Sequence, residues 1–273
     1  MKKNLTLLLL LSSSLFCFEL KSGIGAFNPK VSGLIKYQNN LLEGSTASVD
    51  NKEQYHSYLW TDMTIDTFYT PHIFIAYNRV QTSGKSFFNI QTVNKGVNNF
   101  INDILASLKD YEARGVPLYS TLKNNIFDIF VYTDIFEDET LPTISFGAGL
   151  KHFNYTFIVP FSDKDENGKP QRYTIIDDGS ASIPMLYTSL KQQLEEYPIG
   201  FEAAMKYYVF GDSDIYDLTI KMEVLFDVSK HIKMGAEIGY KDSNFNIKGN
   251  DIDNVGGNMR YQGIMGGVTA SFY

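Results

Sequence analysis

Ile215-Tyr216-Asp217-Leu218-Thr219-Ile220-Lys221-Met222-Glu223-Val224-Leu225-Phe226-Asp227-Val228 is the stretch that decides the fold. Tyr216, Leu218, Ile220, Met222, Val224, Phe226 and Val228 share one parity. Asp217, Thr219, Lys221, Glu223 and Asp227 share the other, with Leu225 as the exception. A strand sends successive side chains to opposite faces, so this is a ribbon with one oily and one wet side. Wound as a helix, the same apolar residues would scatter round the cylinder and form no stripe.

The period of two continues in both directions. Ile232, Met234, Ala236, Ile238 and Tyr240 alternate with Lys233, Gly235, Glu237, Gly239 and Lys241. Ile199, Phe201, Ala203, Met205, Tyr207 and Val209 alternate with Gly200, Glu202, Ala204, Lys206 and Tyr208. Ile144, Phe146, Ala148 and Leu150 alternate with Ser145, Gly147, Gly149 and Lys151. Phe127, Ile129, Val131 and Ile135 alternate with Asp128, Phe130, Tyr132 and Asp134, and Leu59 to Ile65 with Trp60 to Asp66. Weaker alternation covers 20–37, bent around Asn28-Pro29, and 72–81, 182–194 and 258–273. This predicts ten strands of roughly ten to fourteen residues, longer than the five or six usual in soluble sheets. About nine to eleven tilted residues cross a bilayer.

Connection lengths are an independent test. Those at 69–71, 136–142, 195–198 and 229–231 are short. Those at 38–54, 83–121, 156–181 and 244–257 are long, and 211–214 is a tight turn on the long side. Short periplasmic turns alternating with long external loops describe an outer-membrane barrel. The expected fold is an all-β, antiparallel, up-and-down transmembrane barrel with both termini in the periplasm. In the longest loop, Val97, Phe100, Ile101, Ile104, Leu105, Leu108 and Tyr111 keep helical spacing. Asn98 or Asn99 can start that helix, and Gly115 and Pro117 can end it. It either packs over the barrel mouth or gates it.

The N-terminus reads as an address. Lys2 and Lys3 precede an apolar run, Leu5 to Leu11, broken only by Thr6, and then Ser12-Ser13-Ser14-Leu15-Phe16-Cys17-Phe18. The apolar stretch falls short of the roughly twenty residues a spanning helix needs. The pattern is that of a secretory signal peptide. The expected division is a signal at 1–17, cut between 14 and 18, and a barrel at 18–273. Cutting there removes the single cysteine, Lys2 and Lys3, and takes the net charge from −7 to −9. An acidic chain argues against nucleic acid as a partner. One cysteine excludes a disulfide framework and a thiolate zinc site. Aromatics at 14%, mostly Phe and Tyr, favour strands.

If oily faces meet lipid, the wet faces line the lumen. They carry Asp62, Asp66, Asp128, Asp134, Lys151, Lys191, Glu202, Lys206, Lys221, Glu223, Lys233, Glu237 and Lys241. Acids and lysines are mixed, so a mutually neutralised interior is expected, with Glu202–Lys221 and Glu223–Lys241 as cross-strand pairs. Small barrels fill with side chains, and a wide aqueous channel needs about sixteen strands.

No nucleophile elbow, phosphate loop or His-Glu-x-x-His site is present. His72 and His231 fall in periplasmic turns. His152 shares the phase of Leu150 and points away from the lumen. A ten-stranded family of surface proteases uses His and Asp at the external rim, and His56, with Asp50 nearby, is the residue a rim hydrolase would need. Asp163-Lys164-Asp165-Glu166 and Asp251-Ile252-Asp253 lack an ordered ligand register for a hard cation. The expectation is a barrel without enzymatic activity, cofactor or metal. A narrow or gated channel for small solutes is the first alternative and the rim hydrolase the second.

Several segments resemble a family of short, functionally uncharacterised Gram-negative outer-membrane β-barrel proteins. They are Gly23-Ile24-Gly25-Ala26-Phe27-Asn28-Pro29-Lys30-Val31-Ser32-Gly33, Tyr58-Leu59-Trp60, Ile183-Pro184-Met185-Leu186-Tyr187 and Gly211-Asp212-Ser213-Asp214-Ile215-Tyr216-Asp217. The terminal strand also fits, and its Phe272 and Tyr273 resemble the assembly signal of such proteins. The long helical loop and the terminal Tyr depart from the family pattern. The resemblance implies a barrel in the cell outer membrane and carries no catalytic residues. The partners expected of such a chain are outer-membrane lipid, lipopolysaccharide and the barrel assembly machinery, and the expected state is a monomer.

Overall fold

The computed structural model describes residues 18–36, 46–51, 56–65, 71–86, 88–89, 109–110, 113, 118–136, 141–164, 169–194, 197–208, 213–247 and 256–273. The expected signal peptide, Asp66 and both acidic loop stretches, apart from the backbone of Asp163 and Lys164, lie outside them. Of the expected helix, only 109 and 110 are described, and both are helical, as is 113.

The strands are β1 (Phe18–Lys36), β2 (Thr46–Asn51), β3 (His56–Ile65), β4 (His72–Ser86), β5 (Phe88–Asn89), β6 (Leu118–Phe136), β7 (Thr143–Lys164), β8 (Pro170–Gln193), β9 (Ile199–Tyr208), β10 (Asp214–Ser229), β11 (Ile232–Ile247) and β12 (Gly256–Phe272). Neighbours pair antiparallel, and β1 closes on β12. The two short strands do not add to the wall. β1 pairs Phe27 with His56 of β3 and then Val31 with Asn51 of β2, so β2 continues β3 outward past a break. β5 continues β4 in the same way, pairing with β2. The wall is therefore a closed barrel of ten strands.

Leu20 and Phe272 mark one end of the barrel, the terminal end. The end of β3 and start of β4, the end of β6 and start of β7, the end of β8 and start of β9, and the turn at 230–231 between β10 and β11 lie there too. One expectation is corrected. The connection expected over 156–181 is strand for most of its length, because β7 and β8 pair without a break from Thr143↔Lys191 to Lys164↔Pro170. At 22 and 24 residues they are about twice what crosses a bilayer. The first strand is likewise paired straight through Pro29, opposite Gly263.

In the terminal half, the oily faces point out. Ile220 is 51% exposed and Met222 37%, while Glu223 beside them is 5% exposed. Ile129, Val131, Leu150, Phe201, Ile238, Ile264 and Val268 join them in a continuous apolar belt. Tyr77, Phe127, Tyr207 and Tyr240 border it toward the loops, and Tyr197, Phe226 and Phe272 toward the termini. Such aromatic girdles mark the two edges of a hydrocarbon layer.

Above the belt the pattern inverts. In β6 the outward Phe127, Ile129 and Val131 give way to inward Leu118, Leu122 and Ile126. In β7 the outward Ile144, Phe146 and Leu150 give way to inward Phe153, Tyr155, Phe157 and Val159. The loop half is thus apolar inside and polar outside, like a barrel in water.

Candidate functional site

The lumen holds every expected charge that is described except Lys233, because each lies on the inward parity of its strand. Midway along it, five side chains from five strands form one cluster. Lys151 Nζ donates to Asp128 Oδ1 at 2.7 Å and to Asp217 Oδ2 at 2.9 Å. Lys206 Nζ donates to Asp128 Oδ2 at 2.5 Å, and Lys241 Nζ lies 3.0 Å from Asp217 Oδ2. Lys151 and Asp128 are wholly buried. Buried charges are tolerated only when paired and hydrogen-bonded, and removing one partner strands the other.

A second group centres on Glu237. Its Oε1 accepts from the Tyr58 hydroxyl at 2.7 Å and from Trp60 Nε1 at 2.9 Å, across the lumen. Lys221 Nζ is 3.4 Å from Glu237 Oε2 and 3.2 Å from Glu202 Oε2, and it sits 4.0 Å from the centre of the Trp60 ring. Gly23 makes room for this arrangement: a Cβ there would stand 2.4 Å from Trp60 Nε1. The Glu202–Lys221 pair is as expected. Glu223–Lys241 is not formed: Glu223 pairs with Lys21 at 2.6 Å, and Lys241 goes to Asp217. Lys21 was not among the expected charges, because glycine-rich β1 hides its alternation.

The third group lies at the terminal mouth. His72 faces inward, not into the turn, with Nε2 3.3 Å from Asp134 Oδ2 and Nδ1 3.0 Å from the Thr64 hydroxyl. Its ring stacks on Tyr132, 4.6 Å between centroids. The Tyr132 hydroxyl donates to Asp62, Lys191 donates to Tyr132 at 2.7 Å, and Ser145 donates to Asp134 at 2.6 Å. Lys233 stands at the rim, 3.9 Å from Asp227 and over the Tyr273 ring.

Sequence reasoning missed the upper lumen. Val31, Val80, Leu122, Ile126, Phe157, Val159, Ile215 and Ile247 are buried there in one apolar cluster. Phe245 packs edge-on against both Phe153 and Tyr261, at 5.7 Å in each case. Asn124 Nδ2 donates to the Tyr261 hydroxyl at 3.0 Å, a polar link within this plug. The detectable signal was the change of apolar parity within single strands. Among the inward charges is a cavity of about 60 Å³, lined by Trp60, Phe74 and Tyr187 and by Lys206, Lys221 and Lys241. It has room for a few waters.

The two histidines nearest the loop end each have a local partner. His56 is buried, and its Nδ1 accepts the backbone N–H of Gln81 at 2.9 Å. Gln81 stands at the break between β3 and β2, so the imidazole completes the interrupted ladder. His152 faces outward and meets the Ser182 hydroxyl at 2.9 Å.

No family model and no curated protein matches the chain. Among solved structures, the outer membrane protease OmpT of Escherichia coli gives a TM-score of 0.52 at 11% identity, over 93% of this chain and 96% of that one. The outer membrane protein OprG of Pseudomonas aeruginosa gives 0.32 at 12%, over 94% and 95%. The autotransporter AIDA-I transport unit of Escherichia coli gives 0.35 at 7%, over 94% and 89%. The likeness to the first is one of fold: the chain has the outer-membrane barrel fold.

Proposed function

We propose that the chain is an integral protein of the Gram-negative outer membrane without enzymatic activity, a structural or surface-displayed barrel with a closed lumen. It works as a monomer, exported by its N-terminal segment and inserted by the barrel assembly machinery. The terminal end faces the periplasm, and the loop half rises from the cell surface among lipopolysaccharide. The observation that supports this is the double filling of the lumen, paired charges below and an apolar plug above. Planar-bilayer recording of the purified chain tests it. The expected trace is silent, and stable single-channel steps would overturn the closed-lumen reading.

A gated channel is the second reading. The cavity favours it, because it lies within the lumen and is lined by three lysines. Steps that appear in Phe157→Ala and are absent from the parent would support that reading. The rim hydrolase has less support, since His56 is engaged by backbone. Hydrolysis of a peptide library that survives in His56→Ala would show that any activity does not use it.

A further inference from the structure

Two regions of the polar exterior above the belt treat their cations differently. On β11 and β12, Arg260 is closed by Asp242: Nε donates to Oδ1 at 2.9 Å and Nη2 to Oδ2 at 2.6 Å. On β4 and β6 the cations have no such partner. Arg79 stands opposite Asn125, and Lys123 stands opposite Gln81. They are diagonal neighbours on one face, about 7–8 Å apart. Both are exposed, and neither makes an ion pair among the described residues. The outward positions of β4 and β6 carry no carboxylate at all, from 73 to 85 and from 119 to 135.

Position completes the picture. The next outward residues toward the belt from the Arg79–Asn125 pair are Tyr77 and Phe127, both in the loop-side girdle, and Lys123 stands one outward step above Asn125. The Tyr77 hydroxyl donates to Asn125 Oδ1 at 2.9 Å and fixes that amide beside the cations. The neighbouring outward residues of β7, Asn154 and Thr156, are neutral and polar. Acyl chains end at the girdle and head groups begin, so the anion within reach of these cations is a lipid phosphate. Charge-assisted bonds to phosphate are strong, and guanidinium binds it through two parallel bonds.

We propose that Arg79 and Lys123 form a clamp for the phosphate of an anionic lipid head group in the outer leaflet, with Asn125 as a neutral donor beside them. This rests on the membrane reading above and adds to it a defined lipid site on one side of the barrel. The β11–β12 side at the same height has neutralised its own cation and offers no equivalent.

The test uses the full mature chain folded in neutral detergent, titrated with diphosphoryl lipid A, with phosphatase-treated lipid A and with inorganic phosphate. The parent should bind diphosphoryl lipid A about thirtyfold more tightly than Arg79→Ala/Lys123→Ala, a factor of roughly five per interfacial cation. Arg260→Ala should bind like the parent, and Arg79→Lys/Lys123→Arg should keep most of the affinity. Equal binding by parent and double alanine variant overturns the proposal. So does equal binding of the phosphatase-treated lipid, and so does inorganic phosphate that competes at the same concentration as the lipid. The parent titrations alone decide the matter if a variant does not fold. A chain with no boiling-sensitive band in neutral detergent, before any lipid is added, overturns the barrel reading instead.

Discussion

Along β7 the outward residues change from Ile144, Phe146 and Leu150 to His152, Asn154 and Thr156, while the inward ones change from Ser145 and Lys151 to Phe153, Tyr155 and Phe157. The backbone does not register the change, since its pairing with β8 runs on unbroken. What changes is the solvent. Below His152 the outer face meets hydrocarbon, where a Lys or Arg costs about 2–4 kcal/mol. Above it the outer face meets water, and the hydrophobic effect again favours an apolar inside. The same strand therefore has a polar interior in one half and an apolar one in the other, and each half is held by what the other lacks.

Breaking the charged half should have the largest effect. Lys151→Met leaves Asp128 and Asp217 buried beside fewer donors, and should cost about 3–5 kcal/mol. The fluorescence of Trp60, the one tryptophan, against urea measures it. The apolar half answers to a different substitution. Phe157→Ala opens a void in the plug and should cost about 3–4 kcal/mol on the same assay. A loss there much under 1 kcal/mol would mean that the plug is loosely packed.

The boundary between the halves can be located from outside. Ile238→Lys, in the belt, should cost about 2–4 kcal/mol in lipid vesicles. Ser180→Lys, outward on β8 above the belt, should stay within about 0.5 kcal/mol. Equal penalties at both sites would erase the distinction drawn between the halves. Smallest of all should be Arg260→Ala, which removes an exposed pair and should cost under about 1 kcal/mol.

The terminal half was legible in the sequence because alternation is strict where one face must be apolar and the other cannot be. The strands and most inward charges followed from parity, and the membrane barrel from strand and connection lengths, while Lys21 on glycine-rich β1 was missed. The loop half was illegible for the same reason. At Lys151–Phe153 and at Ile126–Phe127 the apolar set switches parity, and a pattern that switches parity looks like one that has ended. That is why 156–181 read as a loop and the plug went unseen. Charge partners were legible as types but not as pairs. Glu223 meets Lys21 across the β1–β12 closure, and no local spacing encodes that neighbour.

Closure itself has a consequence for how the molecule is made. Every rung between β1 and β12, from Leu20↔Phe272 to Lys36↔Gly256, joins the first strand to the last. The Trp60–Glu237 bond spans 177 residues, and Tyr58–Glu237 spans 179. Such distant partners meet slowly, since the ordering cost of the intervening chain comes before any reward. Until β12 is in place the tube is an open curl, with β1 and β11 as its unpaired edges. The wall therefore closes only when one seventeen-residue strand pairs along both of its edges.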